Sequence, residues 1–126
     1  MLMTLYRCNH CGNIAAMVED KGVPIVCCGE KMEKLTANTT DAAQEKHVPV
    51  IKTDGSIVTV NVGDVDHPMI EEHYITWIIL ETDKGRQRKT LTPGSAPCAQ
   101  FALLEGEKPI AAYEYCNLHG FWKADA

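Results

Sequence analysis

The sequence predicts a mainly β protein in which a small metal-stapled domain precedes an antiparallel β-sandwich. Three observations support this prediction. Four of the six cysteines lie within residues 1–35, a segment too short to bury a useful core. From residue 47 onward, about six short runs rich in β-branched and aromatic residues alternate with turn signals, which is typical of a sandwich. No segment shows a helical period.

The first domain is expected to span residues 1–35 and the second residues 47–126. Short strands are plausible at Leu5–Arg7 and Val23–Val26, with turns at residues 11–13 and 28–29. Residues 36–46, TANTTDAAQEK, are small and polar, so we expect a linker that has at most one helical turn near its end.

The strands of the second domain are read from alternation and turn residues. The runs HVPVIK and SIVTVNV flank Asp54-Gly55 and predict a hairpin with Val58, Val60 and Val62 on one face. HYITWIILET predicts a longer strand with Ile75, Trp77 and Ile79 on one face. The runs RQRKTLT, CAQFALL and IAAYEYC complete the predicted strands.

Composition and charge exclude several classes of function. The formal net charge of −5 argues against nucleic acid as the main partner, because phosphate binding needs a basic face. No apolar run reaches the length of a transmembrane helix, so no membrane role is expected. The first ten residues lack the pattern of a secretory signal. Six cysteines without such a signal favour metal binding over a disulfide scaffold.

The first metal motif is Cys8-Asn9-His10-Cys11, and the adjacent pair Cys27-Cys28 supplies two further candidate ligands. Four thiolates suit a closed tetrahedral site for zinc or a single iron, and on the sulfurs alone zinc ranks ahead of iron. Such a site has no open position for substrate, so its role is structural or electron transfer. We expect distortion, because neighbouring residues do not easily reach two tetrahedral vertices. His10 is interpreted as a solvent-facing bystander.

The second candidate site combines imidazole and thiolate. His47 and His73 are predicted to open strands, His67 is held extended by Pro68, and Cys116 and His119 flank the end of the last predicted strand. A turn at residues 117–118, eased by Gly120, is needed to bring these last two together. Imidazole suits iron, copper, zinc or nickel. Cys98 has no such partner and is interpreted as a small buried hydrophobe. Phe121 or Trp122 is expected to wall the site.

These motifs, in this order, resemble desulfoferrodoxin, the two-iron form of superoxide reductase. The resemblance covers essentially the whole chain. It implies an immunoglobulin-like fold for the second domain and two mononuclear irons per chain. One iron would be held by Cys8, Cys11, Cys27 and Cys28, and the other by His47, His67, His73 and His119 with Cys116 as the axial thiolate.

The resemblance also implies an activity and its setting. Superoxide would be reduced to hydrogen peroxide at the ferrous four-histidine, one-cysteine centre, without release of dioxygen. Lys46 would guide the anion and Glu45 would bind ferric iron after the product has left. The family implies a cytoplasmic homodimer that takes electrons from rubredoxin.

Two other interpretations remain open at this stage. The protein could be an electron carrier in which neither iron meets a substrate. The enzyme differs from such a carrier in having an open position on iron opposite Cys116. Only the enzyme should therefore bind azide or cyanide. Alternatively, a zinc-ribbon binding module could be fused to a sandwich whose histidines are incidental. Metal content and the visible spectrum discriminate between these possibilities.

Overall fold

The computed structural model describes residues 3–126. The chain divides into two compact units, Met1–Thr36 and Ala37–Ala126. Apart from one helical turn, the helices and strands described in both units are all antiparallel strands, so the predicted mainly β class is confirmed. Among the described residues, no helix is long and apolar enough to cross a lipid bilayer.

The first unit consists of short strands around a very small core. Strands β2, β1 and β5 form one antiparallel sheet and β3 pairs with β4 in a hairpin. The predicted strand at Leu5–Arg7 is confirmed, whereas the strand expected at Val23–Val26 begins only at Val26 and ends at Cys27. The bounds are β1 Leu5–Arg7, β2 Ile14–Ala16, β3 Val26–Cys27, β4 Glu30–Lys31 and β5 Glu33–Lys34. The buried apolar side chains are those of Met3, Leu5, Cys8 and Met32.

The stretch predicted as a linker lies mostly within the second unit. Asn38 exchanges hydrogen bonds with the backbone of Lys123 (2.9 and 3.0 Å) and donates its own N–H to Phe121 O (3.1 Å). These bonds cover the free edge of the last strand. The stretch ends in a single helical turn, α1 (Gln44–His47). His47 therefore ends a helical turn rather than opening a strand, because the strand begins only at Pro49.

The second unit is a sandwich of a three-stranded sheet, β10-β7-β6, and a four-stranded sheet, β12-β11-β8-β9. This division matches the implied immunoglobulin-like arrangement. It contains seven strands, one more than predicted, because the chain turns after Cys116 and returns as β12. The bounds are β6 Pro49–Asp54, β7 Ile57–Val62, β8 Ile75–Thr82, β9 Gly85–Thr90, β10 Cys98–Ala102, β11 Pro109–Cys116 and β12 Gly120–Asp125.

The core lies between the two sheets. As predicted, Val58, Val60 and Val62 of β7 face inward and are fully buried. They meet Ile78 and Leu80 of β8. Burying side chains of this size contributes about 1.5–3 kcal/mol each, so this core supplies stability that the few buried side chains of the first unit do not. The core cluster also includes Ile75, Ala99, Phe101, Ala112 and Cys116.

Strand β8 departs from simple alternation. The sequence predicts Ile75, Trp77 and Ile79 on one face, but Ile75 joins Ile78 in the core cluster. The register between β8 and β11 shifts between Tyr115 and Cys116, where two steps on β8 oppose one on β11. This bulge turns Ile75 to the inner face. The prediction was wrong because a bulge leaves no mark in the period-2 pattern.

Cys98 at the start of β10 is partly exposed, not buried as predicted. Its neighbour Ala99 takes the inward position instead, and Phe101 follows two residues later on the same face. The alternation along β10 therefore places Cys98 on the outer side of the sheet.

Candidate metal centres

Two hairpin turns position the four N-terminal cysteines. Cys8 follows β1 directly, and a tight turn with Gly12 N–H donating to Cys8 O (2.9 Å) brings Cys11 back beside it. Cys27 ends β3, and Cys28 follows it in the left-handed conformation (φ 53°) with Gly29 (φ 75°) next. This local reversal lets two adjacent cysteines direct their sulfurs to one point.

The sulfur spacing fits one tetrahedral ion. The four Sγ atoms lie within 4.8 Å of one another. Cys11 Sγ is 3.7 Å from Cys27 Sγ, and Cys27 Sγ is 4.0 Å from Cys28 Sγ. Tetrahedral metal–thiolate bonds of about 2.3 Å require sulfurs about 3.8 Å apart. All four cysteines are free rather than bridged. The described geometry therefore excludes a disulfide pairing among these four cysteines.

The electrostatics of this cluster also call for a cation. The Cys11 backbone N–H lies 3.4 Å from Cys8 Sγ and is the main cause that lowers the pKa of Cys8 to about 6. By contrast, hydrogen bonding to the sulfurs of Cys11, Cys8 and Cys27 raises the pKa of Cys28 to about 12. Four thiolates cannot coexist here without a positive ion, so the donor set fits a bound metal. His10 is exposed and lies outside this group of donors.

The second cluster forms at one end of the sandwich, where loops meet. His47 ends α1, His67 and His73 lie in the connection between β7 and β8, and Cys116 ends β11. One ligand atom from each of these four residues lies within 4.8 Å of the other three. Cys116 Sγ is 3.4 Å from His67 Nε2. The structure thus brings together four residues that are up to 69 positions apart in the sequence.

His119 lies beside these four residues. Its Nδ1 is 3.2 Å from His47 Nε2 and 3.9 Å from Cys116 Sγ. Its ring centroid is 5.1 Å from that of His73. The predicted turn at Asn117-Leu118 is present, and Gly120 (φ 79°) allows the reversal that returns His119 toward Cys116.

Backbone carbonyls select which imidazole nitrogens face the cluster. His47 Nδ1 lies 2.7 Å from Ala43 O, and His67 Nδ1 lies 2.7 Å from Pro68 O. Each carbonyl accepts a hydrogen bond, so Nδ1 carries the proton and Nε2 is a free lone pair. His73 Nε2 is buried without a hydrogen-bond partner among residues 3–126. The ring of His73 lies beside those of His47 and His67, so this unpaired buried nitrogen and the two Nε2 lone pairs together fit a metal ion.

Burial keeps the imidazoles neutral. It lowers the pKa of His67 to about 4 and also lowers the pKa of His47 and His73. Neutral imidazole is the form that binds metal. Burial raises the pKa of the Cys116 thiol, so a cation is needed to hold it as thiolate. The chemistry of this donor set therefore also fits a metal.

Trp122 walls this cluster. Its ring stacks on His47 with centroids 5.0 Å apart, and its Nε1–H donates to His119 O (3.0 Å). Phe121 points to the other face of the sheet, where it stacks on Tyr113 at 5.6 Å. Of the two aromatic residues left open by the sequence, the structure therefore selects Trp122.

Glu114 is a neighbour of the cluster that the sequence reasoning missed. It is fully buried, and neither carboxyl oxygen has a partner among residues 3–126. Burial raises the pKa of Glu114 to about 9, so this carboxyl is neutral at pH 7. The sequence does contain a signal for this inward position. Ala112, Glu114 and Cys116 are two residues apart along one strand, so alternation places all three on the inner face.

Glu45 and Lys46 lie on α1 immediately before His47, and both side chains are exposed. The structure thus places an exposed cation and an exposed carboxylate immediately before a buried imidazole of the cluster in the sequence. Neither side chain forms a hydrogen bond or an ion pair with another residue in the described range.

A four-cysteine unit followed by a sandwich with a histidine–thiolate cluster defines a non-haem metalloprotein with two centres. The profile of the desulfoferrodoxin N-terminal domain matches residues 2–35, and that of desulfoferrodoxin matches residues 39–125. The chain therefore belongs to the desulfoferrodoxin family. Its two clusters fit the two iron centres of that family.

Two relatives match nearly the whole chain, and a third matches about two thirds of it. Desulfoferrodoxin of Nitratidesulfovibrio vulgaris is 48% identical over 122 residues, which cover 97% of this chain and 95% of the relative. The crystal structure of the superoxide reductase from Treponema pallidum matches with a TM-score of 0.85 and 38% identity, covering 99% of this chain and all of the other. A one-iron superoxide reductase from Giardia intestinalis matches with a TM-score of 0.56 and 36% identity, covering 65% of this chain and 97% of its own.

Proposed function

We propose that this protein is a superoxide reductase. It converts superoxide to hydrogen peroxide with one electron and two protons, and it releases no dioxygen. The observation that carries the proposal is the buried cluster of His47, His67, His73 and Cys116, with His119 beside it. The likeness to the superoxide reductase from Treponema pallidum over the full chain supports the same assignment.

Different residues bind the iron, tune its electron density and exclude water at this centre. Neutral Nε2 atoms of His47, His67 and His73, with His119 Nδ1 and Cys116 Sγ, would hold the iron. Iron bound there supplies the electron that reduces superoxide. Cys116 contributes the only formal negative charge among these donors, and a thiolate ligand pushes electron density onto its metal. Trp122 and the sheet behind it exclude water from this side.

Lys46 and Glu45 act from the solvent side in this proposal. Superoxide is an anion and the chain has a net charge of −5, so a local cation is needed to draw the substrate in. The exposed ammonium group of Lys46, next to His47, can do this. The carboxylate of Glu45 can bind ferric iron at this centre after hydrogen peroxide has left.

The four-cysteine centre has no open position and would pass electrons. We propose a rubredoxin-like protein as the electron donor, a homodimer as the assembly and the cytoplasm as the location. The electron-carrier alternative is not favoured, since carriers need no solvent-side cation beside a metal cluster, and the full-length structural match is to a superoxide reductase.

Pulse radiolysis of the reduced, iron-loaded protein tests the activity. A pulse of superoxide should be consumed in a bimolecular reaction that yields one hydrogen peroxide per superoxide. The same protein with the second centre emptied should react no faster than buffer. Release of dioxygen and peroxide in equal amounts would indicate dismutation and would contradict the proposal. Failure of both irons to react with superoxide and to bind azide or cyanide would also contradict it.

Replacing Lys46 with alanine should slow the bimolecular reaction by roughly tenfold at low ionic strength. The wild-type rate should fall as salt screens the attraction, while the rate of Lys46→Ala should be less sensitive to salt. Pulse radiolysis across a series of salt concentrations measures both. Glu45→Ala is the matched control: it should keep nearly the normal encounter rate and change the ferric spectrum instead. An unchanged rate and salt dependence in Lys46→Ala would refute the steering role.

Replacing Cys11 with serine should empty the N-terminal centre and remove its colour. Three thiolates hold an ion less tightly than four, and the first unit has little core to retain its shape. Superoxide reduction by the pre-reduced protein should be largely intact, because the closed centre never meets substrate. Iron analysis and pulse radiolysis give the two readouts. Loss of activity while the second iron remains bound would overturn this division of labour.

A further inference from the structure

The carbonyl of Glu45 cannot be satisfied within its own helical turn. In α1, Val48 N–H donates to Gln44 O (2.9 Å), as expected for a helix. The corresponding donor for Glu45 O would be the N–H of residue 49. That residue is Pro49, which has no N–H. Glu45 O must therefore find its donor elsewhere in the protein.

The donor comes from the loop that carries His67. Val65 N–H donates to Glu45 O at 2.8 Å. The same loop is closed on itself, because His67 N–H donates to Val62 O (2.8 Å) and Gly63 N–H donates to Val65 O (3.2 Å). One backbone hydrogen bond thus ties the segment that bears Glu45 and Lys46 to this loop.

Gly63 permits this close approach. A Cβ atom at residue 63 would lie 2.7 Å from Glu45 O and 2.9 Å from Val48 O. Both contacts are with backbone oxygens, which cannot rotate away as the end of a side chain could. Any other residue at this position would push the Glu45–Val48 segment away from the loop.

Asn61 holds the loop from the strand side. Its side-chain amide donates to Gly63 O (2.7 Å) and to Asp66 Oδ1 (2.9 Å), so one group spans the loop from residue 63 to residue 66. Asn61 is the second-to-last residue of β7, so these hydrogen bonds anchor the loop to the three-stranded sheet.

We propose that Gly63 and Asn61 are positioning residues that fix the backbone of Glu45 and Lys46 beside His47. The two side chains are exposed and unpaired within residues 3–126, so their backbone is what sets where they are presented. Loosening the loop should therefore weaken the steering of superoxide without removing a ligand. This inference rests on the proposed function, since it assigns Gly63 and Asn61 to the same site.

The test compares Gly63→Ala and Asn61→Ala with Thr59→Ala in the iron-loaded protein. Thr59 lies on the same face of β7, two residues before Asn61, and its hydroxyl accepts from Gln100 Nε2 (3.3 Å) rather than bonding to the loop. Hydrogen exchange read by mass spectrometry, localised to the Val65 amide, reports the tie to Glu45 O. Pulse radiolysis at several salt concentrations reports steering by Lys46.

Both loop variants should exchange the Val65 amide about fivefold faster or more, the effect of one hydrogen bond on a local opening equilibrium. Both should also react more slowly with superoxide and with a weaker salt dependence, while retaining two irons per chain. Thr59→Ala should match the wild type in every readout. Should Gly63→Ala fail to fold, Asn61→Ala decides the matter by the same measurements.

Two results would overturn the inference. One is unchanged Val65 exchange in the folded loop variants. The other is faster exchange with an unaltered superoxide rate and salt dependence, which would show that the tie exists but positions nothing. Failure of the proposed function itself is distinguishable, because the wild-type protein would then not reduce superoxide at all.

Discussion

Replacement of Cys116 by serine should reduce superoxide reduction by orders of magnitude. Cys116 is fully buried, and it is the only sulfur in the second cluster. A serine hydroxyl there would be a neutral, weakly donating ligand, so both the negative charge and the electron push of the thiolate would be lost. Pulse radiolysis measures the rate, and the visible spectrum should lose the sulfur-to-iron charge-transfer band.

Cys98→Ser is the matched control for this substitution. Cys98 is partly exposed at the start of β10 and lies in neither cluster. It should keep the activity, the spectrum and both irons. Equal effects of the two substitutions would mean that the wrong sulfur has been assigned to the iron. Iron analysis of Cys116→Ser separates a poor ligand from a lost metal.

Replacement of Trp122 by alanine should have the largest effect on stability. Trp122 is 1% exposed, stacks on His47 and donates to His119 O. Truncating a buried tryptophan lowers the free energy of unfolding by about 3–5 kcal/mol. The loss should also loosen two imidazoles, so iron at the second centre should dissociate more readily. Urea denaturation followed by circular dichroism, with iron release followed in parallel, gives both quantities.

Trp122→Phe separates packing from hydrogen bonding. Phenylalanine keeps an aromatic ring against His47 but cannot donate to His119 O, which costs about 1 kcal/mol. Its urea midpoint should lie between those of the wild type and Trp122→Ala, and its four-cysteine centre should be untouched. Identical midpoints for the two variants would show that the stack on His47 contributes nothing to stability.

The residues of the two metal-binding clusters could be predicted from the sequence. The Cys8-x-x-Cys11 motif with Cys27-Cys28 is a local pattern, and spacing alone makes it a metal candidate. The turn that returns His119 toward Cys116 is local too, because Gly120 can adopt a left-handed conformation. Alternation along β7 identified Val58, Val60 and Val62 as core. Within each motif or strand the residues lie only a few positions apart, so they could be recognised without knowledge of the long-range contacts.

Other features depend on contacts between distant parts of the chain, so they became visible only in the folded protein. The imidazoles of His47 and His67 meet because α1 and the β7–β8 loop are tied by a backbone hydrogen bond that Pro49 makes necessary and Gly63 makes possible. The choice of Nε2 in both rings follows from carbonyls at Ala43 and Pro68.

The β8 bulge and the edge position of Asn38 likewise have no signature in the periodicity. The register and burial of a strand depend on the neighbouring strand with which it pairs or packs. A hydrogen bond likewise depends on the position of its partner in the folded chain. Local sequence patterns therefore identified which side chains can bind metal. The packing of the two sheets and their loops determined which nitrogen and which backbone group each of them faces.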